Sequence, residues 1–350
     1  MQPSELANRA GEWLRGTGPD SAFVISTRIR LARNLAGYPF VPRLGPDAQA
    51  ELTEALRHQI VDGALVPETH YFNLEVTREL ERRLLVERHL ISREHEEGTG
   101  ERGVVVQDSE AIAIMINEED HLRIQVLRSG FELDETWVTI NGIDTAIGSR
   151  VPYAFSDRLG YLTACPTNVG TAMRVSVMLH LPALEMTKQI EKVFHAVAKI
   201  NLAVRGLYGE GTQAAGNFYQ ISNQITLGKS EQDIIKEIRG TIPQIIRYEK
   251  RAREILVEQN RQQLEDRVWR AYAMLRAARI ISSNETMALL SHLRLGINLG
   301  IIQDVEIADI NQLFVQTLPA HLQILEGREL DPQARDVARA TFIRRNLGEL

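Results

Sequence analysis

Cysteine is almost missing from this 350-residue chain. Cys165 stands alone, which excludes an internal disulfide framework and multi-cysteine zinc sites and fits a reducing compartment. The nine histidines show no paired ligand spacing such as HExxH. No apolar run reaches the ~18–20 residues that span a bilayer. The opening "MQPSELANRAGEWLRG" has no apolar core, so no secretory leader is expected. Lysine is scarce as well, with 6 against 34 arginines. Genome composition explains such a bias. So does a need for planar guanidinium forks, which bind phosphate and carboxylate with two prongs where lysine offers a point charge. The net charge of −6 and the lack of a long basic block argue against nucleic acid as a direct partner. Repeats and low-complexity linkers are absent too.

The chain is 44% hydrophobic and 25% charged, an ordinary composition for a soluble globular protein. Strands are predicted at 104–107, 111–116, 122–127, 174–181 and 217–227, and a short apolar strand followed by an Arg-rich turn within 21–45. Helices are predicted over 46–62, where Leu52, Leu56 and Ile60 recur every four residues, and over 132–149 and 183–204. After Ser230 the pattern is helical throughout: 231–257, 259–280, 285–299, 306–317 and 332–346. The fold class is therefore α+β followed by an all-helical region. The expected division is a short segment 1–20, a catalytic domain 21–254 and a helical domain 255–350.

Four stretches concentrate charge inside apolar sequence. In "STRIRLARN", Arg28 and Arg30 lie on one face of a strand, because side chains repeat every two residues. Two guanidiniums there need an anion between them or a solvated face. In "INEEDHLRIQV", residues 116–126, three consecutive acids interrupt an apparent buried strand, a costly arrangement unless something cationic meets them. Strand geometry places Glu119, His121 and Arg123 on one face, either as an ion pair or with Arg123 taking an anion and Glu119 a cation. In "TACPTNVGTAMRVSVMLHLP", Cys165 precedes an Asn-Val-Gly turn and Arg174 opens a strand. The lone cysteine is either inert and buried or activated by turn amides and a nearby arginine. In "RGLYGEGTQAAGNF", Gly206, Gly209, Gly211 and Gly216 make a loop that a ligand can approach closely, with Arg205 and Glu210 inside it. This loop is not a Walker P-loop: "GKS" at 228–230 has Asn223 where a glycine is needed.

The ordered motifs "STRIRLARN", "HLIS", "NEEDHLRI", "CPTNVGTAMR" and "RGLYGEGT…GNFYQISN…LG" resemble those of the phosphagen kinases, the guanidino kinases that include creatine and arginine kinase. The likeness is closer to the McsB-type bacterial protein arginine kinases. Only 25 residues precede "STRIR", so the N-terminal helical domain that closes over small substrates in the metabolic enzymes is not expected. The helical region contains "RDVARA", residues 335–340, which looks like a phosphoarginine-binding RDxxRA motif. Met178 replaces the histidine that arginine kinases place beside adenine, so apolar packing on the base is expected.

The resemblance implies a catalytic domain built on an antiparallel sheet flanked by helices. It implies ATP phosphates on Arg28, Arg30, Arg123, Arg174 and Arg205. His89, Ser26, Thr27, Ile29, the stretch Arg174–Val175–Ser176–Val177–Met178 and the stretch Arg205–Gly206–Leu207–Tyr208–Gly209–Glu210 would complete the nucleotide site. It implies that Glu119 and Glu210 hold the substrate guanidinium, with Cys165 beside it and Mg²⁺ carried mainly by phosphate oxygens and water rather than by protein ligands. A guanidinium, with a pKa of ~12.5–13.8, is a poor nucleophile until deprotonated. Glu119 is the first choice for the base and Glu210 for the orienter. Arg335 and Arg339, one helical turn apart, would take the phosphate of phosphoarginine, Asp336 a guanidinium nitrogen, and Ala340 closes the motif. The implied biology is cytoplasmic phosphorylation of protein arginines by a homodimer, on substrates including unfolded proteins and the heat-shock repressor CtsR. A McsA-type activator and the ClpC–ClpP protease would be partners, with no membrane. Two other readings stay open: a kinase of free arginine or another small guanidine, and a non-catalytic phosphoarginine-binding adaptor.

Overall fold

The computed structural model describes residues 1–206 and 215–348. Its centre is one antiparallel sheet in the order β2-β3-β4-β5-β1-β8-β10-β9. The strands are β1 (Val24–Arg33), β2 (Thr69–Asn73), β3 (Gly103–Gln107), β4 (Ile112–Ile116), β5 (Leu122–Ser129), β8 (Met173–His180), β9 (Leu202–Gly206) and β10 (Phe218–Asn223), with a small hairpin of β6 (Phe155–Ser156) and β7 (Gly160–Tyr161) apart. Three helices precede the middle of the sheet: α1 (Pro46–Arg57), α2 (Glu79–Glu87) and α3 (Arg93–Glu97). Then come α4 (Leu133–Gly148), α5 (Pro182–Met186), α6 (Ile190–Ala198) and the long α7 (Glu231–Gln259). Five more close the chain: α8 (Arg261–Ala277), α9 (Ser283–Asn298), α10 (Ile307–Gln316), α11 (Pro319–Leu325) and α12 (Pro332–Leu347).

Strand β1 is the hub, paired with β5 on one side and β8 on the other. In an antiparallel sheet directly paired residues share a face. Arg30 pairs with Gln125 and Arg174, Arg28 with Ser176, Met178 with Gln220 and Gln220 with Arg205. All of these therefore look to one side, and Ala32 pairing with Arg123 adds that residue to the same side. The alternate residues Thr27, Ile29, Leu31, Val175 and Val177 look to the other side and are buried. Helix α4 covers this core face, where Arg33 forks onto Asp144 with bonds of 2.7 to 3.2 Å and lies over the Tyr161 ring.

One contiguous apolar cluster runs from Trp13 to Leu347 of α12, so the sheet and the C-terminal helices share a core. The expected boundary at 254–255 falls inside α7, a continuous helix. Three local expectations are corrected. The Arg-rich turn after the first strand is no turn; β1 continues through Arg33. The single helix over 183–204 is two short helices and an edge strand, because Lys188 and Asn201 take positive φ and break the helical path. The acids of "INEEDHLR" are not strand but the turn of the β4–β5 hairpin, entered through Asn117 at φ 58°. Strands β2 and α11 carried no clear periodicity, being only 5 and 7 residues long.

Candidate active site

The arginine face opens on a cleft of about 570 Å³ whose walls include Arg30, Glu94, Glu118, Glu119, Arg123, Cys165, Asn168, Arg174, Arg205 and Thr226. Sequence neighbours are thus joined by four different elements. The strand β1 supplies Arg28 and Arg30, β5 supplies Arg123, β8 supplies Arg174 and β9 supplies Arg205. Among the described residues no carboxylate forms an ion pair with Arg28, Arg30 or Arg174. Arg28 donates to Gln220 Oε1 at 2.8 Å and to Ser176 Oγ at 3.4 Å. Burial, and then the charges of Arg123 and Arg174, lower the Arg28 guanidinium to about 10. Burial and the same neighbours, with Arg28, push Arg30 well down from its ordinary value. Arg174 is lowered by burial, Arg205 and Arg123. Crowded cations that depress one another form a site that an anion would relieve.

The hairpin turn supplies the opposite charge. Glu118, whose side chain is 1% exposed, takes Arg123 Nη1 and Ser92 Oγ, each at 2.6 Å, and accepts the Glu119 amide at 2.8 Å. Asp120 is tied to Asn34 Nδ2 at 2.6 Å and the Ala164 amide at 2.7 Å. Glu119 is the loosely held one of the three acids, with its side chain 40% exposed and, among the described residues, long side-chain contacts to Arg123 at 3.4 Å and Asn168 at 3.5 Å. Burial raises its pKa above the ordinary carboxylate range, and Arg123 opposes that in part. His121 does not share the face of Glu119 and Arg123. It accepts from the Leu35 amide at 3.0 Å and donates to Pro39 O at 2.9 Å, and burial lowers its pKa. Cys165 lines the same cleft, half-buried, with its sulfur 3.0 Å from Thr167 Oγ1.

Beside the cleft, a small slot is lined by Ser26, Arg28, His89, Leu127, Ser176, Met178 and Gln220. His89 sits at φ 60° with its ring edge-on to Trp13, and burial with Arg28 and Arg30 lowers its pKa to about 3. Ser26, His89 and Met178, distant in sequence, are thus brought together. Thr27, Ile29, Val175 and Val177 turn their side chains to the core face, so their backbone alone borders this side. Leu207, Tyr208, Gly209 and Glu210 lie outside the described residues. In α12, Arg335 donates to Leu330 O at 3.0 Å, and Asp336 pairs with Arg339. Arg339 is 1% exposed and donates to Thr317 O and Ile281 O, while Ala340 is buried beside it. Arg335 and Asp336 are the charged members of "RDVARA" with access to solvent.

Sequence reasoning missed Ser92, Glu118, Asn168 and Gln220. Three acids in a row mark the place of Glu118, but only the hairpin geometry separates the bracing acid from the loosely held one.

The geometry agrees with the comparisons. Residues 51–252 match the family model of the ATP:guanido phosphotransferase C-terminal catalytic domain, and residues 261–350 that of the protein-arginine kinase McsB C-terminal domain. The protein-arginine kinase of Desulforamulus reducens is 46% identical over 350 residues, covering 99% of this chain and 98% of its own. That of Symbiobacterium thermophilum is 47% identical over 348 residues, covering 98% and 99%. The chain belongs to the protein-arginine kinase family.

Solved structures place this kinase among the guanidino kinases. Lombricine kinase matches with a TM-score of 0.57 at 26% identity, over 69% of this chain and 71% of its own. The duplicated taurocyamine kinase of Schistosoma mansoni, with bound transition state analog components, matches with a TM-score of 0.59 at 25% identity, over 75% of this chain and 38% of its own. Among the described residues no helix is long and apolar enough to cross a membrane.

Proposed function

We propose that this kinase transfers the γ-phosphoryl group of ATP to the guanidinium of arginine residues in proteins. One observation carries the reading: Glu119, a carboxylate whose pKa burial raises, shares a cleft with Arg30 and Arg174, which no described carboxylate pairs. Arg28, Arg30, Arg123, Arg174 and Arg205 would hold the triphosphate, whose negative charge suits their mutual repulsion. Positioning and charge neutralisation are the main needs of phosphoryl transfer. Among the described residues no group of three or more His, Cys, Asp or Glu is placed to hold a metal, and in this reading Mg²⁺ rides on phosphate oxygens and water. Glu119 receives the guanidinium, aims one nitrogen and accepts its proton, and Cys165 lies alongside. Glu210 is the proposed second carboxylate.

In the same reading, residues 21–254 form the catalytic domain and 255–350 a helical phosphoarginine-binding domain, where Arg335 and Asp336 meet the ligand and Arg339 braces them. The kinase works in the cytoplasm as a homodimer on unfolded proteins and on CtsR, with a McsA-type activator, and marks substrates for ClpC–ClpP.

The test is incubation with Mg-ATP and an arginine-rich unfolded protein, and in parallel with free arginine, read as acid-labile N-linked phosphate by intact mass and phosphorus NMR. Label on protein is expected, and Glu119→Gln should lose nearly all turnover while still binding ATP. Label on free arginine alone would replace the reading with a small-guanidine kinase. Phosphoarginine binding without any turnover would favour an adaptor.

A further inference from the structure

A six-residue stretch, "ERHLIS" at 87–92, ties the helical C-terminal region to the catalytic turn. At its start the Glu87 carboxylate, with its side chain 15% exposed, accepts the Ala320 and His321 amides, both at 2.8 Å, at the N-terminus of α11. A carboxylate there meets two amides that the helix leaves unbonded. His321 Nε2 accepts from Arg88 Nη1 at 3.0 Å, so a neutral ring carries its proton on Nδ1, 3.5 Å from Glu87. Arg88 forks onto buried Glu110 and donates to Arg9 O at 3.0 Å. Arg339, from α12, fixes the same corner by donating to Thr317 O just ahead of α11.

The other end of the stretch reaches the site. The His89 carbonyl accepts from Gln125 Nε2 at 2.7 Å, on the strand that carries Arg123. Ser92 caps α3 through the His95 amide and donates to Glu118 Oε1 at 2.6 Å. Glu118 in turn holds Arg123 and the backbone of Glu119.

We propose that Glu87 is a positioning residue for the transfer reaction: by docking on α11 it fixes the stretch 87–92, and through Ser92 and Glu118 it sets the aim of Glu119. The helical region is then part of the machinery that orients the catalytic carboxylate. This rests on Glu119 acting in the reaction as proposed above.

The experiment compares Glu87→Gln, Ser92→Ala and the double variant. Each single change is expected to lower kcat on an unfolded protein about 10-fold with KM for ATP within about 2-fold. The double variant should be no worse than either, because both break one route. Independent, multiplying losses of about 100-fold would overturn the proposal. So would a loss that tracks only a fall in Tm. Hydrogen exchange gives a readout free of any substrate: amide uptake at 117–121 should rise several-fold in Glu87→Gln, and unchanged uptake would sink the proposal. A wild type that labels no protein arginine would defeat the function reading alone, since the exchange result still decides the coupling.

Discussion

Glu119 and Glu118 are adjacent acids in opposite environments. Glu118 is fully engaged with Arg123, Ser92 and a backbone amide, whereas Glu119 keeps long contacts and a pKa raised by burial. A base works only when ionised, so in the role proposed for Glu119 a raised pKa means activity is lost as pH falls, and lost earlier than for an ordinary carboxylate at ~4.3. The expected pH profile of kcat/KM drops on the acid side with an apparent pKa above that range. A plateau extending down through the ordinary range would contradict it. His89 should add no step of its own. Held at about 3 by burial and two arginines, it stays neutral over the working range, and its ring signals in NMR should not titrate between about pH 5 and 8.

Element geometry sorts the charges into those on the open face of the sheet and those that hold the fold. Alternation along β1 sends Arg28 and Arg30 to the cleft side of the sheet and Arg33 to the core, where Asp144 of α4 takes its fork. Asp144→Ala would leave a buried guanidinium without its counter-charge, and a loss of about 3–5 kcal/mol in unfolding free energy is expected by chemical denaturation. The same alternation was legible from "STRIRLARN", because a two-residue period needs no tertiary information. The hairpin of "NEEDHLR" was not. Its flanks are strand-like, and only the observed pairing of Ile116 with Leu122 shows that the acids form the turn. The break of 183–204 was hidden for a related reason: Val193, Val197, Ile200 and Val204 recur every three or four residues as on a helix, yet Val204 lies in β9, the edge strand that pairs with β10.

The sheet and the C-terminal helices share one large apolar core, beside a smaller cluster around Phe72, Leu85 and Val104. Arg294 of α9 is buried and donates to Ser21 O, Ala22 O and His180, burial being the first cause that lowers it to about 9. Phe218 of β10 packs edge-on against Phe314 of α10 at 4.6 Å. Removing residues 261–350 would expose this apolar surface and leave His180 without its Arg294 and Ser291 partners. A fragment 1–260 is therefore expected to lack a cooperative thermal transition and kinase activity. A fragment that melts sharply and turns over would show the two regions to be independent.

Sequence alone determined the chemistry of this protein: paired arginines at two-residue spacing, an acid run inside apolar flanks, and ordered motifs resembling the guanidino kinases. Those features are local, set by side-chain type and by strand or helix period. Tertiary structure decided the division of labour among them. Which acid faces the cleft depends on where a hairpin turns, and which arginine is structural depends on the partner strand and on α4. Whether Arg339 meets ligand or braces α11 depends on burial by segments more than twenty residues away. Each is a relation between distant parts of the chain, and no window of sequence contains both partners.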